Sequence, residues 1–90
     1  MKESFPRRSE MAITVKIRLN AILKEYSPTK GQSSFQLSLP DGSTIQDAAR
    51  ELGIPRPKIG VATVNWRYAE FSETLQDGDE VILFPQITGG

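Results

Sequence analysis

The chain has 90 residues, eleven basic and eleven acidic, with 38% hydrophobic and 24% charged residues. That is the composition of one globular domain, with a core too small for a deep substrate cavity and none of the basic field of a nucleic-acid binder. The absence of cysteine and histidine excludes disulfides, zinc-finger sites, thiolate nucleophiles and histidine general bases.

Residues 1–11 are polar, aperiodic and interrupted by Pro6, and are expected to form a disordered arm, with Met11 as an alternative start. They lack the apolar core of a secretory signal, and no apolar run of the chain reaches bilayer-spanning length. A cytoplasmic location with no membrane or nucleic-acid partner is the expectation.

Ile13, Val15, Ile17 and Leu19 alternate with polar residues, the period of a half-buried strand. Ala21 to Ser33 contains Pro28 and Gly31 and reads as a loop, anchored by Ile22 and Leu23. Phe35, Leu37 and Leu39 alternate again and predict a second strand, antiparallel to the first. Pro40-Asp41-Gly42 breaks the chain, and a helix follows. Ser43 or Thr44 is its N-cap, and Ser43 with Gln46 fits a capping box. Ile45, Ala48, Ala49 and Leu52 form one apolar stripe at helical spacing. Gly53 is placed as the left-handed C-terminal residue, and Pro55 and Pro57 forbid continuation.

Val61 to Val64 predicts a strand inside the sheet, and Asn65 to Tyr68 a bend. Asp77-Gly78-Asp79 is a tight turn whose acids bond nearby backbone or water, in preference to catalytic or metal duty. Val81 to Phe84 is apolar on both faces, as in a covered central strand, and Pro85 ends it. The order strand, strand, helix, strand, short strand, strand is that of an α+β, ubiquitin-like β-grasp. Such a fold packs a mixed sheet of four to five strands on one helix. The expected division is arm 1–11, domain 12–84 and a flexible tail 85–90.

Phe84, Trp66, Tyr68 and Phe71 are the aromatic candidates for a contact surface, of which Phe71 and part of Phe84 are assigned to the core and Trp66 to an exposed interface anchor. The sharpest feature is Gly89-Gly90. Glycine has no Cβ, so such a tail enters a narrow channel and presents its carboxylate to an attacking group. This points to a carrier that works through Gly90, with Gly89, Thr88 and Ile87 presenting it.

The stretches Val64-Asn65, Leu75-Gln76-Asp77-Gly78-Asp79-Glu80-Val81 and Phe84-Pro85-Gln86-Ile87-Thr88-Gly89-Gly90 together resemble the MoaD/ThiS family of ubiquitin-like sulfur carriers. The resemblance covers Met11 to Gly90, and the Phe-Pro ending is more like the MoaD branch. It implies a carrier that is not itself an enzyme and binds no cofactor. A partner E1-like adenylyltransferase (MoeB/ThiF-like) uses ATP to adenylate Gly90, and a sulfur donor converts the adenylate to a thiocarboxylate. The implied acceptor enzyme is the large, MoaE-like subunit of molybdopterin synthase, in molybdenum cofactor biosynthesis. Relatives serve thiamine, cysteine or tRNA thiolation, or act as protein modifiers. Phe84, Pro85 and Trp66 are the expected partner contacts. Two residues depart from the pattern. Gln86 stands where a second proline is common, which predicts a looser tail. Trp66 stands where glycine or a polar residue is common after the asparagine.

Overall fold

The computed structural model describes residues 12–29 and 31–87. The expected N-terminal arm and Thr88, Gly89 and Gly90 lie outside the described residues.

The alternation at Ile13 to Leu19 makes strand β1 (Ala12–Leu19), with all four apolar side chains buried and the intervening ones exposed. It pairs antiparallel with β2 (Ser34–Pro40), which turns Phe35 and Leu39 to the same side. The connection is more ordered than the loop expected. Ala21–Tyr26 forms a 3-10 helix whose Leu23 is fully buried. Ile22, also assigned as an anchor, is exposed.

Helix α1 (Ile45–Leu52) carries the predicted stripe, with Ile45, Ala48 and Ala49 buried and Leu52 partly buried against the core. Its N-cap is Thr44, and the capping box is Thr44 with Asp47, one residue beyond the pair expected. Ser43 is buried, and its hydroxyl donates to the Pro40 carbonyl at 2.7 Å. The first helical N–H groups are all used. Ile45 donates to Glu73, Gln46 to Phe71, and Asp47 to the Thr44 hydroxyl. No donor is left there to hold an anion. Gly53 ends the helix at φ 77°, a left-handed angle that other residues adopt at a cost.

The remaining strands are β3 (Ile59–Val64), β4 (Arg67–Ala69) and β5 (Glu80–Pro85). Tyr68 therefore belongs to a strand and not to the bend expected of it. The sheet order is β2-β1-β5-β3-β4, with β1 and β5 parallel and every other pair antiparallel. The chain is thus a ubiquitin-like β-grasp with β5 central, as its apolar run requires. Ile17, Leu19, Val81, Leu83, Ala62 and Val64 face α1 and form the core with Leu23, Ile54, Ile59 and Leu75. Burying each large aliphatic side chain contributes about 1.5–3 kcal/mol.

Among the described residues, no helix is long and apolar enough to cross a membrane.

Candidate functional site

The expected site residues that are described, Trp66, Phe84, Pro85 and Ile87, fall beside the sheet face opposite α1 and on the segment that leaves β5. Strand register sets this face. Arg18 pairs with Ile82, Ile82 with Thr63, and Thr63 with Tyr68, so these four lie in one row. Phe84 pairs with Val61 in the next row. The β1 and β2 half of the face carries Lys16, Arg18, Ser34 and Gln36, while the β3–β5 half is apolar and aromatic.

Phe84 was assigned in part to the core. Its register instead turns it outward, where it is half-buried beside Val61 and separate from the main core. Phe71 does pack against the core, with the Arg56 guanidinium 3.6 Å from its ring centre. Ile82 is only 3% exposed although it too faces away from α1. The outer face therefore has a small apolar layer of its own. In it, Thr63 Oγ1 is enclosed and has no hydrogen-bond partner.

Tyr68 and Phe84 line two adjoining open grooves. One, of about 420 Å³, runs past Gly60, Val61 and the departing Pro85, Gln86 and Ile87. The other, of about 380 Å³, reaches Ile82, Thr63 and Trp66. Trp66 is 70% exposed, Tyr68 82% and Ile87 85%, so one apolar strip runs from the β3–β4 turn to the base of the tail. A further depression of about 400 Å³ lies across the sheet, beside Asp41, Asp47 and Glu51. Its lining mixes Leu39 and Pro40 with charged side chains, and Asp47 there is committed to the helix cap. The N–H of Thr44 holds that carboxyl below its ordinary pKa.

Trp66 owes its position to backbone geometry. Asn65 and Trp66 have φ of 52° and 72°, both positive, as in a two-residue type I′ hairpin turn. Asparagine tolerates this angle, whereas an aromatic residue is strained by it. Asn65 is secured from three directions. Its N–H donates to the Glu80 carbonyl, its side-chain amide donates to Asp79, and its side-chain oxygen accepts from the Glu80 N–H. Beside the turn, Arg67 grips Glu73 with two hydrogen bonds of 3.2 and 2.6 Å. That grip holds the Glu73 carboxyl below its ordinary pKa.

The acids of the Asp77-Gly78-Asp79 turn do structural work. Asp77 accepts from the Thr14 N–H at 2.8 Å, and Asp79 accepts from Gln76 and Asn65. They join β1, β5 and the β3–β4 turn.

At the other end of β5, Pro85 is the last strand residue, but pairing continues past it. The Gln86 N–H donates to the Lys58 carbonyl at 2.8 Å. The looser tail expected from Gln86 is not what occurs at this residue. Gln86 supplies a donor that a proline lacks. The described chain then leaves the sheet at exposed Ile87. Tyr68, one of the aromatic candidates, lies in this site, and Gly60 also belongs to it and was missed by reasoning from sequence. Gly60 carried no signal apart from being a glycine in an apolar run.

Residues 17–90 match the ThiS family. Among solved structures, the chain is similar to a putative molybdopterin converting factor subunit 1 from Pyrococcus furiosus. The two share 26% identity and a TM-score of 0.67 over 83% of this chain and 99% of that one. It also shares its fold with small archaeal modifier protein 1 of Haloferax volcanii, at 22% identity and a TM-score of 0.66, over 83% of this chain and 99% of that one. A curated relative, a threonine–tRNA ligase of Protochlamydia amoebophila, is 39% identical over 56 residues, 61% of this chain. The matched segment spans only 8% of that ligase's length.

Proposed function

This chain belongs to the ThiS family, and from that premise we propose that it is a sulfur carrier whose Gly90 carboxylate is activated and loaded by partner enzymes. The observation that carries the proposal is the continuity of the apolar strip with the tail. Trp66, Tyr68, Phe84 and Ile87 lead from the hairpin turn to the point where the chain leaves the sheet. A partner that docks on the strip receives the tail in the same orientation. Trp66, Phe84 and Pro85 are its contacts, and Ile87, Thr88 and Gly89 carry Gly90 into its active site. Exposed aromatic side chains clustered in this way are the residue type that anchors interfaces.

The chemistry then needs no catalytic side chain from the carrier. A Gly90 carboxylate oxygen attacks the α-phosphorus of ATP on an E1-like adenylyltransferase. Pyrophosphate leaves and the acyl-adenylate forms. A sulfur nucleophile at the oxidation level of hydrosulfide attacks the acyl carbon, AMP departs with the electron pair of the C–O bond, and a thiocarboxylate remains. Its sulfur attacks an activated carbon of the acceptor, and water cleaves the resulting thioester to restore the carboxylate. The likeness to the pyrococcal protein favours a pterin acceptor on the large subunit of molybdopterin synthase.

A second use of the same carboxylate is attachment to lysines of target proteins, favoured by the shared fold with the archaeal modifier. Intact-mass spectrometry of the full chain tests both. With adenylyltransferase, ATP and a sulfur donor present, the carrier gains one sulfur in place of one oxygen at Gly90. Isopeptide-linked conjugates with no sulfur exchange select the modifier, and an unchanged carboxylate under all these conditions refutes the carrier. Removal of Gly90 abolishes loading and leaves thermal stability unaltered.

A further inference from the structure

Gly60 is the extra residue of a β-bulge. Ile59 pairs with Pro85 and Val61 with Phe84, so three residues of β3 stand opposite two of β5. Its φ is not in the left-handed region, so the position does not require glycine for its backbone angle. What glycine supplies there is space. A Cβ on Gly60 would lie 3.0 Å from the Pro85 carbonyl oxygen and 3.1 Å from the Gln86 Cα. Both are backbone atoms, which cannot swing aside as the end of a long side chain does.

The same two residues are held from the neighbouring position. The Gln86 N–H donates to the Lys58 carbonyl, and Lys58 closes a 3-10 turn, Arg56–Lys58, in which its own N–H donates to Pro55. Pro55 and Pro57 stiffen that turn. The chain leaving β5 is therefore pulled toward Lys58 by a hydrogen bond and admitted to that position by the missing side chain of Gly60. Pairing persists through Gln86, and the exit direction is set there.

We propose that the Gly60 bulge is the guide that aims the carrier tail, and that Gly60 is a positioning residue for activation at Gly90. The inference rests on the carrier reading for the destination of the tail, but not for its direction. Four residues, Ile87 to Gly90, can reach at most roughly 13 Å beyond the guide. Were that reach fully extended within a partner's channel, a tilt of about 15° at Gln86 would displace its far end by roughly 3 Å. Displacements of that size at a reacting atom cost large factors in rate.

The test uses Gly60→Ala and Gly60→Val in the full chain. Amide hydrogen exchange and residual dipolar couplings at Gln86 and Ile87 report the exit geometry, and ATP–pyrophosphate exchange with the adenylyltransferase reports activation. Expected are unchanged protection at Val64 and Leu83, at least about tenfold less protection at Gln86, and altered couplings at Ile87. In Gly60→Val, kcat for exchange falls about tenfold, and KM for the carrier is read separately because Gly60 also lines the docking groove. Gly60→Ala shows the same changes in smaller measure, and it decides the matter if the valine variant does not fold. Wild-type protection and couplings in the variants overturn the proposal, as does altered geometry with an unaltered kcat. If the unmodified chain supports no exchange, the carrier reading fails, and Gln86 protection with the Ile87 couplings still decides whether Gly60 aims the tail.

Discussion

The side-chain amide of Asn65 donates to Asp79 Oδ1 at 2.9 Å, which ties the tip of one hairpin to the turn that feeds the central strand. The Asn65 side-chain oxygen accepts from the Glu80 N–H at 3.0 Å, so one residue satisfies both partners while holding a φ of 52°. Two replacements separate these roles. Asn65→Gly keeps the backbone angle and loses the side-chain bonds, which costs about 1 kcal/mol. Asn65→Ala loses both and costs about 2 kcal/mol. Urea unfolding measures the difference, and equal losses in the two variants would show that the left-handed angle carries no weight.

Thr63 presents the opposite case, a group whose removal helps. Its hydroxyl is enclosed between strands on the outer face and lacks a partner. Valine has the same shape and β-branching but no polar atom to leave unsatisfied. Thr63→Val therefore stabilises the fold by about 1 kcal/mol. A measured loss of stability would mean that the hydroxyl is in fact satisfied in solution.

Acid weakens the molecule through two carboxylates. The N–H of Thr44 lowers the pKa of Asp47, and the hydrogen bonds from Arg67 lower that of Glu73. A folded-state pKa below the unfolded one contributes stability that is complete above the unfolded value. That contribution is lost as pH falls out of the ordinary carboxylate range and through the lower folded value. Replacing both residues, Asp47→Ala with Glu73→Gln, makes stability fall less steeply between about pH 5 and pH 3 than in the parent chain. Urea midpoints across that range provide the comparison, and parallel curves would remove both groups from the acid response.

What could be read from sequence followed the range of the forces involved. Strand alternation at Ile13 to Leu19 and the Gly53 stop are local, and the structure repeats them. Thr44 was one of the two N-caps expected, but the capping box falls one residue later than Ser43 with Gln46, because that pair and Thr44 with Asp47 have the same spacing. Ser43 is taken out of the cap by its hydroxyl's bond to Pro40 and by the Leu75 N–H that donates to its carbonyl. The 3-10 helix at Ala21–Tyr26 is too short to display a period, so Leu23 looked no different from Ile22. On the outer face, Ile82 and Phe84 owe their surroundings to cross-strand register, which no local pattern encodes. Gly60 was invisible for the same reason. Its role exists only once Pro85 and Gln86 have paired against β3.

Trp66 yields two effects of opposite sign. Its backbone sits at φ 72°, an angle that glycine adopts freely and that costs a bulky residue about 1 kcal/mol. Its side chain is 70% exposed, so little buried area offsets that strain in the free chain. Trp66→Gly should therefore leave the fold equally stable or raise its stability by up to about 1 kcal/mol. The same change removes the end of the apolar strip from any partner that docks on it. A buried aromatic anchor contributes about 2 kcal/mol or more, so affinity for the adenylyltransferase or the sulfur-accepting subunit should fall at least about thirtyfold. Titration calorimetry against each partner, alongside thermal unfolding of the free carrier, measures both quantities. If affinity falls for one partner alone, Trp66 marks which of the two docks across the hairpin turn. If stability falls and both affinities hold, the side chain serves the fold, and the strip ends at Tyr68.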